Sequence, residues 1–91
     1  METAVVEFRN EDTGQNMEIE IPLSITANDL LNALNDAFHL GVEMGNAKER
    51  YLCAENPIAF LRGNKKLNDL GLRNGSIIIF KRSKKWSVRI R

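Results

Sequence analysis

A chain of 91 residues folds as one domain, because single domains run from roughly 50 to 200 residues. Its composition, 43% hydrophobic and 27% charged, is ordinary for a globular protein, and no apolar stretch approaches the roughly 20 residues that span a bilayer. The N-terminal segment lacks the basic start and apolar run of a secretory signal, and a single cysteine cannot form an internal disulfide. We therefore expect a cytoplasmic protein.

The net charge of +1 hides an uneven distribution. Residues 81–91 hold six lysines and arginines and no acid, which gives that segment a formal charge of +6. The other 80 residues hold seven basic and twelve acidic side chains, which gives −5. A basic end on an acidic body is typical of an interaction tail. We therefore divide the chain into a domain over residues 1–80 and a basic tail over residues 81–91.

The first 40 residues indicate a hairpin followed by a helix. Apolar residues alternate over residues 4–10 and 17–23, on either side of a turn cluster at Gly14, which predicts two antiparallel strands. Thr26 is predicted as the N-cap of the helix, with Asp29 three residues later, and Gly41 as its left-handed end. The apolar stripe of this helix consists of Ala27, Leu30, Leu31, Leu34, Ala37 and Phe38.

The second half consists of shorter segments. Residues 50–55 and 77–80 have the composition of strands, and residues 59–66 indicate a further short strand or a pair of turns. A helix between two hairpin-like units packs on one face of a mixed sheet, an α+β layout. We expect a right-handed crossover to bring strand 50–55 parallel to one of the first two strands. The pattern predicts a β-grasp fold with four to five strands on one main helix.

The segment from Phe60 to Phe80 resembles the second half of ubiquitin-like folds. It carries their Leu-x-Asp motif followed by spaced glycines, at Leu67, Asp69, Leu70, Gly71, Leu72 and Gly75. With the hairpin and helix, the resemblance covers about residues 3–80. Among ubiquitin-like families the chain is most similar to the small stand-alone YukD/EsaB proteins of Gram-positive type VII secretion systems. The resemblance implies a short 3₁₀ turn at Leu67 whose apolar residues fill the bottom of the core.

One departure from ubiquitin bears on function. Conjugation and sulfur-carrier chemistry require a C-terminal Gly-Gly, because an activating enzyme threads a bare backbone through a narrow channel. Here Phe80 is followed by Lys81, and the sequence closes with Arg91 and no Gly-Gly. We therefore expect a ubiquitin-like protein that is not conjugated.

Candidate catalytic residues find no supporting groups in the sequence. His39 is expected on the surface near the helix end, and Cys53 on the outer sheet face without a base beside it. Asn74 fits the sequence pattern of a glycosylation acceptor, but Asn-Gly is explained as a turn. No metal-ligand spacing or phosphate-binding loop occurs. We expect no enzyme activity, no cofactor and no metal.

The last predicted strand, residues 77–80, is apolar at every position, although the helix is expected to cover only one face of the sheet. Phased by the resemblance, Ile77 and Ile79 point away from the helix, with Val5 on one side and Tyr51 on the other. An open sheet face normally carries polar residues, and an apolar patch of roughly a few hundred Å² marks an interaction site. We predict that these four residues form a protein-binding patch. The alternative is that the tail of the same chain covers them.

The tail combines charge with apolar alternation, since Trp86, Val88 and Ile90 recur at every second position. It can fold back as an extra strand, pair with a second copy, or remain solvated until a partner orders it. The tail residues that we predict to contact a partner are Lys84, Lys85, Trp86, Arg89 and Arg91.

The leading hypothesis is a non-conjugating adaptor of a type VII-like secretion system that acts by protein–protein binding. The resemblance implies partners among the cytoplasmic parts of membrane components: the FtsK/SpoIIIE-type ATPase or the pseudokinase-like membrane protein. The basic tail would steer the protein toward an acidic surface or hold it weakly at the anionic inner leaflet. The alternatives are a structural homo-oligomer (in its simplest form a homodimer) paired through tails or open faces, and a basic-tailed binder of nucleic acid or membrane surfaces. The acidic body, which repels phosphate, disfavours nucleic acid.

Overall fold

The computed structural model describes residues 2–40 and 50–82, except for the side chains of Arg50, Tyr51 and Arg82. Within these ranges five strands and one helix alternate in the order that the sequence predicts. They are β1 (Thr3–Asn10), β2 (Gln15–Pro22), α1 (Ala27–Phe38), β3 (Arg50–Glu55), β4 (Ala59–Leu61) and β5 (Ile77–Arg82).

The strands form one mixed sheet in the order β2-β1-β5-β3-β4. The last strand, β5, lies in the middle, parallel to β1 and antiparallel to β3, and the other pairs are antiparallel. The predicted α+β β-grasp fold is therefore confirmed. As expected, β3 runs parallel to one of the first two strands, β2, and β1 and β5 lie between them.

The helix begins as predicted and ends earlier. The Thr26 hydroxyl accepts a hydrogen bond from the Asp29 N–H (3.1 Å), and the Asp29 carboxylate accepts one from the Thr26 N–H (3.3 Å), a capping box. The left-handed terminal residue is His39 (φ 52°) rather than Gly41, which lies outside the described residues. Ala37 is exposed, contrary to the prediction, because it lies about 80° from the centre of the apolar arc.

The core lies between α1 and one face of the sheet, and alternate residues of each strand supply it. Near the end of the helix the Phe38 ring stacks on Phe8, with centroids 5.3 Å apart. The best-buried large side chains of the core, all less than 2% exposed, are Val6, Phe8, Leu30, Leu52, Leu67, Ile78 and Phe80.

The Leu-x-Asp segment closes the core as the resemblance implies. Leu67 is fully buried, and its carbonyl accepts an i+3 hydrogen bond from the Leu70 N–H, followed by the Asn68–Gly71 bond (both 3.1 Å). These successive bonds form a short 3₁₀-type turn. The N–H of Leu67 also donates to the Ile25 carbonyl (2.9 Å), which fixes the turn to the segment that precedes α1.

The central strand extends beyond the predicted domain boundary. Lys81 and Arg82, which the sequence analysis assigns to the tail, continue β5 and pair with Tyr51 and Arg50 of β3. The segment 83–91 therefore leaves from the end of the central strand, next to the start of β3.

Candidate protein-binding face

The sheet has a second face, opposite α1, which we call the open face. Among the described residues the only helix packs on the other side. The strand registers arrange the outward side chains in rows across the sheet. The row through Ile77 contains Glu18, Glu7, Ile77 and Glu55, and the row through Ile79 contains Asn16, Arg9, Ile79, Cys53 and Phe60.

An arginine bridge crosses the middle of the open face. The Arg9 side chain on β1 donates a hydrogen bond to Glu7, and its guanidinium also lies 4.0 Å from the Glu55 carboxylate on β3. Because β5 separates β1 from β3, Arg9 must pass over β5 to reach Glu55. At 41% exposure for Arg9, the bridge contributes about 0–1 kcal/mol to stability, so its main effect is to cover β5.

The burial of Ile79 corrects the predicted patch. Ile79 points away from the core, as expected, but it is only 6% exposed, whereas Ile77 is half-buried. Its neighbours in the row are Arg9 on β1 and Cys53 on β3. The predicted contiguous apolar surface is therefore interrupted by charged side chains, and Ile79 is not available for docking.

Val5 and Ile77 do lie close together. Both line a shallow depression of about 420 Å³, whose wall includes Glu7 and Glu18. Val5 is 45% exposed, and the neighbouring turn holds its backbone: its N–H donates to the Asn74 side chain (2.8 Å). Tyr51, the fourth predicted residue, has its backbone paired with Lys81, and its side chain lies outside the described residues.

Two exposed apolar residues were missed in the sequence. Phe60 on β4 is 54% exposed and faces the same side as Cys53, with which it pairs. Ile58, in the turn before β4, is 91% exposed. Ala59 and Leu61 on either side of Phe60 face the core, but three residues are too few for this alternation to be recognised in the sequence.

The turn that carries Ile58 is fixed from below by a buried serine. The Ser76 hydroxyl, fully buried, donates to the Asn56 carbonyl (2.7 Å) and accepts from the Arg73 N–H (3.0 Å). The Arg73 guanidinium also donates to the Asn56 side chain (3.0 Å). These bonds join the turn before β4, which carries Ile58, to the turn before β5.

The open face is acidic. Among the described side chains, its outward residues include two cations, Arg9 and Lys81, against five acids, which leaves a formal charge of −3. The five acids are Glu7, Glu11, Glu18, Glu20 and Glu55.

Cys53 is the one thiol of this face in the described part of the chain. Burial raises the pKa of its half-buried thiol, an effect that the Lys81 ammonium opposes and the Glu11 and Glu55 carboxylates reinforce. A thiol with a raised pKa holds little thiolate at neutral pH. His39 is exposed at the end of α1, whereas Cys53 points to the face opposite this helix.

Within residues 2–40 and 50–82, no three histidine, cysteine or acidic side chains lie together in a way that could hold a metal ion. The helix in this described part of the chain lacks the length and apolar character that crossing a membrane requires. The predicted tail contacts Lys84, Lys85, Trp86, Arg89 and Arg91 lie outside the described residues.

The family follows from a comparison of the sequence with known families. The family of the WXG100 protein secretion system (Wss) protein YukD matches residues 5–80. The chain belongs to the YukD family. It is thus a ubiquitin-like component of the WXG100, or type VII, secretion system, and the family recognised in the sequence is confirmed. The ubiquitin-like fold and the YukD family are typically non-catalytic. No match is found among curated proteins.

Solved structures agree with this fold. The chain is similar to the ubiquitin-like domain of tubulin-binding cofactor B, with a TM-score of 0.68 and 23% identity over 87% of this chain and 88% of that one. The ubiquitin-like domain of yeast Ddi1 gives 0.70 and 21%, with coverage of 93% and 94%. The C-terminal ubiquitin-like domain of mouse tubulin-specific chaperone e gives 0.71 and 18%, with coverage of 94% and 92%. At these identities the similarity shows the fold alone.

Proposed function

We propose that this YukD-family protein is a non-conjugating adaptor that binds a protein partner of the secretion machinery through its open face. The observation that supports this most strongly is Phe60, a large aromatic side chain that is 54% exposed on the sheet face opposite the helix. Aromatic residues are enriched among the side chains that dominate binding energy at interfaces.

The docking surface has two apolar parts on either side of the arginine bridge. Val5 and Ile77 form one part, in the depression on β1 and β5, and Phe60 with Ile58 forms the other, at the β4 edge. Charged groups surround both parts. An apolar centre with a polar rim is the usual anatomy of an interface. The formal charge of −3 on this face favours a partner surface with basic residues.

The candidate partners are those that the family resemblance implies: the cytoplasmic region of the FtsK/SpoIIIE-type ATPase or of the pseudokinase-like membrane component. The protein would act in the cytoplasm, at the inner face of the membrane. The basic tail would add a weak contact with an anionic leaflet, at about 1 kcal/mol for each lysine or arginine near the surface.

The test is a binding measurement with purified cytoplasmic regions of these two components. The variant Ile77→Lys with Phe60→Glu keeps the net charge and places both new side chains at positions that are not fully buried. Because residues at the centre of an interface each contribute about 2 kcal/mol, the affinity should fall by a factor of about 30 or more.

The matched control places the same two kinds of charge on the opposite side of the molecule. Ala33→Glu with Ala37→Lys changes two exposed residues of α1 and should leave the affinity unchanged. The proposal fails if wild-type protein binds neither region. It also fails if the open-face variant binds as tightly as the control.

A further inference from the structure

We propose that the basic segment 83–91 binds the open face of its own chain, over the depression lined by Val5, Glu18 and Ile77. A partner would then have to displace it. This second statement rests on the proposed function, whereas the intramolecular contact stands independently of it.

Charge complementarity is the first argument. The segment carries four basic residues and no acid, and the open face carries a formal charge of −3. Glu7 and Glu18 lie directly opposite each other on β1 and β2 and both line the depression. Like charges opposite each other destabilise a strand pair, so a cation placed between them relieves repulsion.

The ion pairs already formed on the open face indicate which carboxylates are best placed to bind the cations of the segment. Arg9 forms ion pairs with Glu7 and Glu55, and Glu20 accepts a hydrogen bond from the Thr3 hydroxyl (2.6 Å). Among the described residues, neither Glu18 nor Glu20 forms an ion pair within 4.0 Å. Added cations therefore gain the most electrostatic stabilisation along β2, the acidic side of the depression.

The apolar pattern of the segment matches the same site. Trp86, Val88 and Ile90 fall on one side of an extended chain, with basic residues at Lys85 and Arg89 on the other. The depression offers the exposed part of Val5 and the half-buried Ile77 as apolar contacts. An extended segment can thus direct Val88 and Ile90 over the depression and its cations toward the flanking carboxylates, with Trp86 on the same face nearer the end of β5.

The length of the segment allows the contact within one chain. β5 carries the chain away from the depression, from Ile77 to Arg82, a distance of about 17 Å at ~3.3 Å for each residue. Nine further residues span at most about 30 Å when extended, so the segment can reverse direction and return along the face. A short tether gives an effective concentration in the millimolar range, far above that of a second copy at micromolar protein.

The sequence supplies a probe for this contact, because Trp86 is the only tryptophan and lies within the segment. For the full-length protein at low salt we expect blue-shifted Trp86 emission and slow acrylamide quenching, compared with the urea-unfolded chain. In Glu18→Lys with Glu20→Lys, quenching should rise several-fold and the emission should shift to the red. Salt at 1 M should act in the same direction on the wild type, because it screens charges beyond about 3 Å.

The control variant Asp36→Lys with Asp69→Lys makes the same change in net charge at exposed positions away from the open face, and should retain the wild-type fluorescence. Emission of a solvent-exposed indole in the wild type would overturn the proposal. So would emission that the Glu18 and Glu20 reversals leave unchanged. Quenching that depends on protein concentration would assign the contact to a second copy, and overturn binding within one chain.

The effect on the partner is tested separately, by titrating the purified cytoplasmic regions with full-length Trp86→Ser protein. A segment that covers the face nine-tenths of the time weakens partner binding about tenfold, so the variant should bind about tenfold more tightly than the wild type. Unchanged affinity would show that partner and segment do not compete. Absence of binding by either protein would count against the proposed function and leave the fluorescence result standing.

Discussion

Replacing Ser76 by alanine tests whether the buried serine holds the two turns that flank the open face. The hydroxyl is fully buried, donates to the Asn56 carbonyl at 2.7 Å and accepts from the Arg73 N–H at 3.0 Å. Alanine leaves both backbone groups without this partner. A buried polar group that loses its hydrogen bond costs about 1–3 kcal/mol.

The magnitude follows from the surroundings of those two groups. Asn56 and Arg73 are exposed as residues, so water can reach their backbone more easily than it reaches Ser76. We therefore expect a total loss of about 2 kcal/mol, nearer the lower end of the range for two groups. For a domain of this size each kcal/mol lowers Tm by about 4–8 °C, so Tm should fall by about 8–16 °C.

Thermal and urea unfolding followed by far-UV circular dichroism would measure this loss. Ser24→Ala, at an exposed position, is the matched control and should change stability by no more than about 0.5 kcal/mol. If Ser76→Ala melted together with the control, the serine would not be what fixes these turns.

Three further predictions follow from the burial pattern and the thiol. Ile79→Asp places a charge at a 6% exposed position and should lower the free energy of unfolding, measured in urea, by about 3 kcal/mol or more. Ile77→Asp, at the half-buried position, should lower it by about 1 kcal/mol. Equal losses would contradict the burial of Ile79. Leu67→Ala, at a fully buried position, should lower the free energy of unfolding by about 2–5 kcal/mol, and a loss below 1 kcal/mol would mean that this residue does not fill the core. Alkylation of Cys53 requires the thiolate, so the raised pKa should displace its rate profile, followed by mass spectrometry, to higher pH than that of a free thiol. Lys81→Met should displace it further, and a profile at or below that of a free thiol would refute the assignment.

The sequence pattern correctly predicted those parts of the fold that depend on interactions between residues close together in the chain. The alternation of Val6 and Phe8 reflects a strand with one covered face, and Thr26 with Asp29 satisfies the free N–H groups of the first helical turn. These features depend on neighbours within a few residues, so the sequence alone was enough to identify them. The position of β5 between β1 and β3 came instead from the resemblance, which carries the topology of the whole family.

The open face was predicted less well because its character depends on side chains from distant segments. The charged bridge across this face requires Arg9 of β1 to reach Glu55 of β3, and this contact depends on the registers of two strand pairs. The hydrophobic pattern of β5 contains no information on that bridge. Phe60 was missed for a different reason: a strand of three residues is too short for its alternation to stand out.

The most direct test of the account is an NMR titration of full-length, ¹⁵N-labelled protein with the purified cytoplasmic regions of the two candidate partners. We expect the backbone amides of Val5, Phe60 and Ile77 to shift or broaden on binding to one of them, while those of Ala33 and Leu34 on α1 remain unchanged. Perturbation centred on α1, or no perturbation with either region, would contradict the central claim that the open face is the docking surface.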